Sequence, residues 1–221
     1  MNELKPFFDA IKKGDREAVR ELLGQTPSLA GMPDPDSGLS GLMTALYYGH
    51  AAIADFFIDR GVILNQFEAA ASGQVSRLQE LLGAQPDQID NFSPDGFQAL
   101  GLAAFFGQAA AARWLLEHGS QVNMPSRNAM RVMPLHSAVA ARNFEIARAL
   151  IDHGADVNAV QNDDFTPLMA AAQNGQLEMI ELLLTHGARP DAKRANGQSA
   201  TDFAREGGHS EAVELLRQRG G

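Results

Sequence analysis

Three of the six histidines form a ladder that invites a chemical reading. His118, His153 and His186 each stand immediately before a glycine. Imidazoles repeated at one structural position suggest a metal. The last turn of a helix offers them a plainer task, bonding the final carbonyls and offsetting the negative end of the helix dipole. No carboxylate cluster stands by to close a tetrahedral site. Asp34-Pro35-Asp36-Ser37-Gly38 matches the opening of a calcium loop, but the position that needs a bidentate glutamate is Ala45. Arg127 and Arg131, with Arg142 shortly after, make a basic island in an acidic chain. Guanidinium forks there would suit carboxylates or phosphate on a partner, or would be ordinary solvated arginines. The chain holds no phosphate-binding loop, no nucleophile elbow and no dinucleotide fingerprint. No catalytic residue, cofactor or metal site is assigned, and the chain is not read as an enzyme.

The elements that would position any site are clearest from Phe165 to Asp191. Thr166 is a good N-cap and Pro167 occupies the first helical position, where a missing N–H costs nothing. Leu168, Ala170, Ala171 and Ala172 follow, small enough for another helix to come close. Gly175 can adopt positive φ and stop this helix. A second helix carries Leu177, Ile180, Leu183 and Leu184 on one face and ends at His186-Gly187. Helices of about ten residues are marginal alone, so the pair must bury its stripe against something like itself.

The chain supplies the copies. Pro134, Pro167 and Ala200 stand 33 residues apart in turn, as do the His-Gly pairs at 153–154 and 186–187. Met133-Pro134-Leu135-His136 and Thr166-Pro167-Leu168-Met169 open successive units, and Gly154-Ala155-Asp156-Val157-Asn158 closes one. A 33-residue period with these motifs resembles the ankyrin-repeat family. The resemblance covers nearly the whole chain and makes His136 a structural, hydrogen-bonding histidine. It implies an all-α solenoid of about seven stacked helix-turn-helix units with β-hairpin or turn fingers, two of them fingerless, forming a single domain over 1–221.

In order, the units run 1–33 as an N-terminal cap, 34–65, a fingerless 66–90, 91–123, 124–158, 159–191, and 192–221 as a C-terminal cap. Lys5, Lys12, Lys13, Arg16 and Glu17 are expected to give the first unit its polar outer face. Residues from Phe67, FEAAASGQVSRLQELLGAQP, repeat those from Phe8, FDAIKKGDREAVRELLGQTP, at an offset of 59. This reads as tandem duplication of a two-unit block that leaves a cap-like unit internal. A gap or change of curvature is expected in the row of fingers near residue 66. Ala99 to Pro134 is 35 residues, so the finger within MPSRNAMR is enlarged by two.

Ankyrin repeats usually bind through finger tips and the solvent side of the inner helices. Carried over position by position, the resemblance implies a partner-binding stripe of Leu39, Tyr47 and Tyr48; Phe97, Phe105 and Phe106; Met130, Val132, Ala140 and Ala141; Phe165, Gln173 and Asn174; and Gln198 and Glu206. Arg127 and Arg131 flank it. The apolar middle of this stripe marks an interaction site, or Phe105 and Phe106 instead fill volume under the fingerless junction. The expected function is non-enzymatic binding of a partner protein on the concave and finger face, as inhibitor or scaffold. A homodimer through the same apolar face and a small molecule held in the Tyr47/Phe105 groove are the alternatives.

Composition sets the frame. Hydrophobic residues are 45% and charged residues 20% of 221, enough for a core and too apolar for wholesale disorder. There is no cysteine, which fits a reducing compartment. A net charge of −9 argues against nucleic acid and anionic membrane as partners. The N-terminus lacks an apolar leader with a cleavage site, and no apolar run approaches 18 residues. The chain is therefore expected to be cytoplasmic, monomeric and stand-alone; the resemblance extends to compact bacterial ankyrin proteins.

Overall fold

The computed structural model describes residues 3–220. Among them are fourteen α-helices and no extended strand. They pair in sequence: α1 (Leu4–Lys13) with α2 (Arg16–Gln25), α3 (Gly41–Tyr47) with α4 (Ala51–Asp59), α5 (Gln66–Ala71) with α6 (Val75–Ala84), and α7 (Ala99–Phe105) with α8 (Ala109–Glu117). The pairs continue as α9 (Pro134–Ala140) with α10 (Phe144–Asp152), α11 (Pro167–Gln173) with α12 (Leu177–Thr185), and α13 (Ala200–Glu206) with α14 (Ser210–Gly220). Odd-numbered helices stack on one another in a row, and even-numbered helices form a second layer outside them. This is the solenoid that the 33-residue period predicts.

Local chemistry sets the helix ends. Thr166 accepts a hydrogen bond from the Met169 N–H at 3.2 Å with Pro167 behind it, as its type and position predict. Ser40, Asn143 and Ser199 cap α3, α10 and α13 in the same way. The inner helices are only 6–10 residues long, so burial rather than propensity holds them. Ala70, Ala71, Ala103, Ala104, Ala171 and Ala172 are buried in the inner row, where small side chains let helices approach. On α12 the buried stripe is Met179, Ile180 and Leu183, with Leu177 and Leu184 only half-buried at its edges. Gly41 marks a close approach: a Cβ there would lie 2.7 Å from the Phe57 ring.

The turn between inner and outer helix needs a left-handed residue. Glycine fills it in every pair but one; in the fifth it is Arg142, at φ 55°. At the N-terminal end Lys5, Lys13, Arg16 and Glu17 are exposed. Lys12 instead turns inward and pairs with the buried Asp34 carboxylate at 2.9 Å.

The fingers are hydrogen-bonded turns closed by one N–H to carbonyl bond each: Asp34 to Leu39, Ser93 to Phe97, Ser126 to Val132, Gln161 to Phe165 and Arg194 to Gln198. The turn over 126–132 spans seven residues where 93–97 spans five, and Arg131 adopts φ 51° within it. Between α4 and α5 no such turn forms. Asn65 enters α5 directly through a capping box, accepting from the Phe67 and Glu68 N–H groups while Glu68 accepts from Asn65 N–H at 2.9 Å. The α3–α5 contact is the least extensive between successive inner helices, so stacking loosens where the finger is missing. Helices α2 (16–25) and α6 (75–84) coincide at the offset of 59.

Candidate functional site

Tyr47 at the end of α3 meets the aromatic pair at the end of α7 across the unit between them. Tyr47-Tyr48 and Phe105-Phe106 precede the turn glycines Gly49 and Gly107; the same two positions before Gly73 are Ala71 and Ser72. Those small residues let the neighbours close over them. The Tyr47 ring lies 5.1 Å from Phe106, edge on, and 6.1 Å from Phe105. The Tyr47 hydroxyl donates to Asp95 in the turn over 93–97, at 2.5 Å. One side chain thus bridges from α3 to the finger two units on. Burial and the adjacent Asp95 carboxylate both push its hydroxyl pKa upward.

The cluster has two levels. Tyr47 and Phe106 are half-buried at its base and Phe105 stands above them, 42% exposed; Tyr48, next in the chain to Tyr47, is 53% exposed. The volume-filling reading describes Phe106, and the surface reading describes Phe105.

The other stripe residues divide similarly. Met130 is 53% exposed on the long finger and Val132 is half-buried at its base. Phe97 and Leu39 are half-buried against the core. Phe165 meets Phe203 edge on at 5.2 Å, and its carbonyl accepts from the buried His136 Nε2–H at 2.9 Å. Gln173 is exposed, whereas the Asn174 amide donates to the Ala170 carbonyl and closes its own helix. Ala140, Ala141 and Glu206 are exposed, and the half-buried Gln198 donates to Glu206.

The three arginines take different settings. Arg127 folds back so that its guanidinium lies 4.0 Å over the Phe92 ring. Arg131 is exposed on the finger. Arg142 is at the far end of α9, about 10 Å away for seven helical residues. The histidine ladder is occupied locally: His118, His153 and His186 each donate Nδ1–H to the carbonyl four residues back, at 2.8 Å. The calcium-like segment is a turn closed on itself. Burial disfavours ionisation of Asp34, but hydrogen bonds from Lys12, Ser37 and Asp36 outweigh it and hold this carboxyl below the usual range.

Two clefts that the motif search did not find flank Phe67, where the finger is absent. One, of about 280 Å³, lies between the turns 34–39 and 93–97 and is walled by Leu39, Met43 and Ile63. The other, of about 520 Å³, runs behind toward Gln88, Phe92 and Arg127. Ile63 is 85% exposed at the rim of the first. A sequence signal for the gap exists in two prolines. The fingers from 126 and 161 each hydrogen-bond the finger before them, Arg127 N–H to the Gly96 carbonyl and Asn162 N–H to the Met130 carbonyl. At the corresponding position the fingers from 34 and 93 carry Pro35 and Pro94, which have no N–H to donate.

Comparison with known proteins agrees with this architecture. The family described as ankyrin repeats (3 copies) matches residues 66–161 and 158–221. Human neurogenic locus notch homolog protein 4 is 43% identical over 79 residues, 35% of this chain and 4% of its own length. Alpha-latrocrustotoxin-Lt1a of Latrodectus tredecimguttatus is 31% identical over 110 residues, 49% of this chain and 7% of its own. Ankyrin repeat and KH domain-containing protein mask-1 of Caenorhabditis elegans is 26% identical over 183 residues, 77% of this chain and again 7% of its own. The chain spans less than a tenth of each of these three relatives.

Proposed function

The chain belongs to the ankyrin-repeat family, and on that footing we propose that it is a non-enzymatic module that captures a partner protein on its concave and finger face. Ankyrin repeats generally serve as protein–protein interaction modules. The observation that carries the proposal is the upper level of the aromatic cluster. Phe105 and Tyr48 are large and exposed, and Phe105 rests on Tyr47 and Phe106, which are themselves packed. Rigid, half-desolvated aromatics of this kind dominate interface energetics, and a surface already ordered loses little entropy on docking. Met130 and Arg131 extend the surface along the long finger, with Leu39, Phe97, Val132, Gln173 and the other stripe residues as its surroundings. Phe106 and Tyr47 support Phe105 from below, and Phe165 packs on Phe203 farther along the stripe. The net charge of −9 favours a basic protein over nucleic acid or an anionic membrane. We place the chain in the cytoplasm as a monomer, acting as inhibitor or scaffold.

The test is capture from a lysate by wild type and by a Tyr48→Ser/Phe105→Ser variant of equal helical circular dichroism. A protein retained by the first and lost from the second supports the aromatic face; equal retention moves the interface elsewhere. Light scattering through a tenfold dilution checks the monomer, since a mass that falls toward half would establish the homodimer instead.

A further inference from the structure

The smaller cleft beside Phe67 has an internal chemistry that the aromatic face lacks. It lies where a finger is absent, and its lining is mixed: Leu39, Met43, Phe67 and Ile63 supply apolar wall beside the polar Ser40, Asn65 and Ser93. Glu68 lines it although only 6% of that residue is exposed. One Glu68 oxygen accepts the Asn65 N–H of the capping box. Among the described residues, nothing donates to its other oxygen and no cation pairs with it. Asp95, on the opposite wall, accepts the hydroxyls of Tyr47 and Ser93 and likewise has no ion pair among the described residues. Lys12 is occupied by Asp34. Carboxylates so placed are ordinarily paired.

The geometry also limits what can enter. A strand continuing the row of fingers would need the N–H that Arg127 and Asn162 supply elsewhere, and Pro94 has none to offer. A cleft of about 280 Å³ has room for a long side chain. An aliphatic stem against Leu39, Met43 and Phe67, ending in a charge at Glu68 and Asp95, satisfies both the walls and the floor.

We propose that this cleft is an anchoring slot for a single arginine or lysine side chain of the partner protein, inserted where the third finger is missing. The proposal rests on the protein-binding reading and specifies the partner's chemistry: a basic residue presented on a protruding segment. The chain's net charge of −9 would draw such a partner toward it.

The experiment selects binders from a random dodecapeptide library displayed on phage, with the full chain immobilised, and measures the selected peptides by fluorescence anisotropy. Two variants leave the local hydrogen bonds available. Glu68→Gln keeps an acceptor for the capping box, and Asp95→Asn keeps an oxygen for the Tyr47 hydroxyl. The expected peptides share a lysine or arginine, and replacing it with methionine weakens binding at least tenfold. Glu68→Gln weakens the parent peptide by a similar factor and leaves the methionine peptide unchanged, because the two changes remove the same interaction. If Glu68→Gln loses helical circular dichroism, the same coupling is read from Asp95→Asn. Peptides without a shared cation, unchanged affinity in these variants, or capture of no peptide would overturn the slot. Peptides lost from Tyr48→Ser/Phe105→Ser but indifferent to Glu68→Gln overturn the slot and leave the aromatic face standing. The converse pattern supports the slot and removes the aromatic face.

Discussion

Acidification should destabilise this chain through His136. Its ring is 3% exposed, and Nε2 lies 2.9 Å from the Phe165 carbonyl, which can only accept, so Nε2 carries the proton. Nδ1 is then a buried lone pair with no partner among the described residues. Protonation would place a charged N–H in that dry position. Burial accordingly pushes the imidazole down to about 4, against the partial opposition of the Phe165 carbonyl. With an unfolded value near 6.5 the sign follows. As pH falls below 6.5 the unfolded chain takes up a proton that the folded chain refuses, so stability falls until about pH 4 and then levels. The drop from 6.5 to about 4 limits the loss to about 3 kcal/mol, of which about 2 kcal/mol appears between pH 7 and pH 5. Urea titrations at the two pH values, followed by circular dichroism, measure it. His136→Gln is the control: its amide can reach the Phe165 carbonyl and does not titrate. The difference in free energy between the two proteins should change by about 2 kcal/mol from pH 7 to pH 5. Parallel losses in both would refute the assignment to His136.

Three further outcomes follow from the packing. Arg142→Gly relieves the one non-glycine left-handed residue among the inner-to-outer turns and should raise stability by about 0.5–1 kcal/mol, read from the urea midpoint. Gly41→Ala drives a methyl to 2.7 Å from the buried Phe57 ring and should cost about 1–3 kcal/mol in the same assay. Tyr47→Phe removes the hydroxyl bridge to Asp95 and should cost about 1–2 kcal/mol; hydrogen exchange should rise in the 93–97 turn ahead of the rest of the chain.

Much of the architecture was legible because a solenoid is locally determined. Each helix pair packs chiefly on its neighbours, so capping residues, small-residue runs and turn glycines recur at a fixed period and can be read without knowing any distant contact. Thr166-Pro167 and Gly175 are such local signals. The missing finger was legible as a short spacing between Gly49 and Gly73, and Pro35 and Pro94 repeat that message in hydrogen-bond terms. The candidate surface was legible only as a list. Position in the repeat puts Phe105 and Phe106 side by side but does not say which is covered, because the cover comes from Tyr47, 59 residues before Phe106.

The amino-acid sequence by itself therefore determined the period, the helix pairs, the family and the acidic balance, all carried by local propensity and composition. The tertiary structure alone decided how Tyr47 ties α3 to the turn over 93–97, where Arg127 lies, and that Glu68 lines a cleft without a counter-charge. These depend on which side chains stack across a gap. Stacking is set by three-dimensional neighbours whose sizes and charges no single repeat encodes.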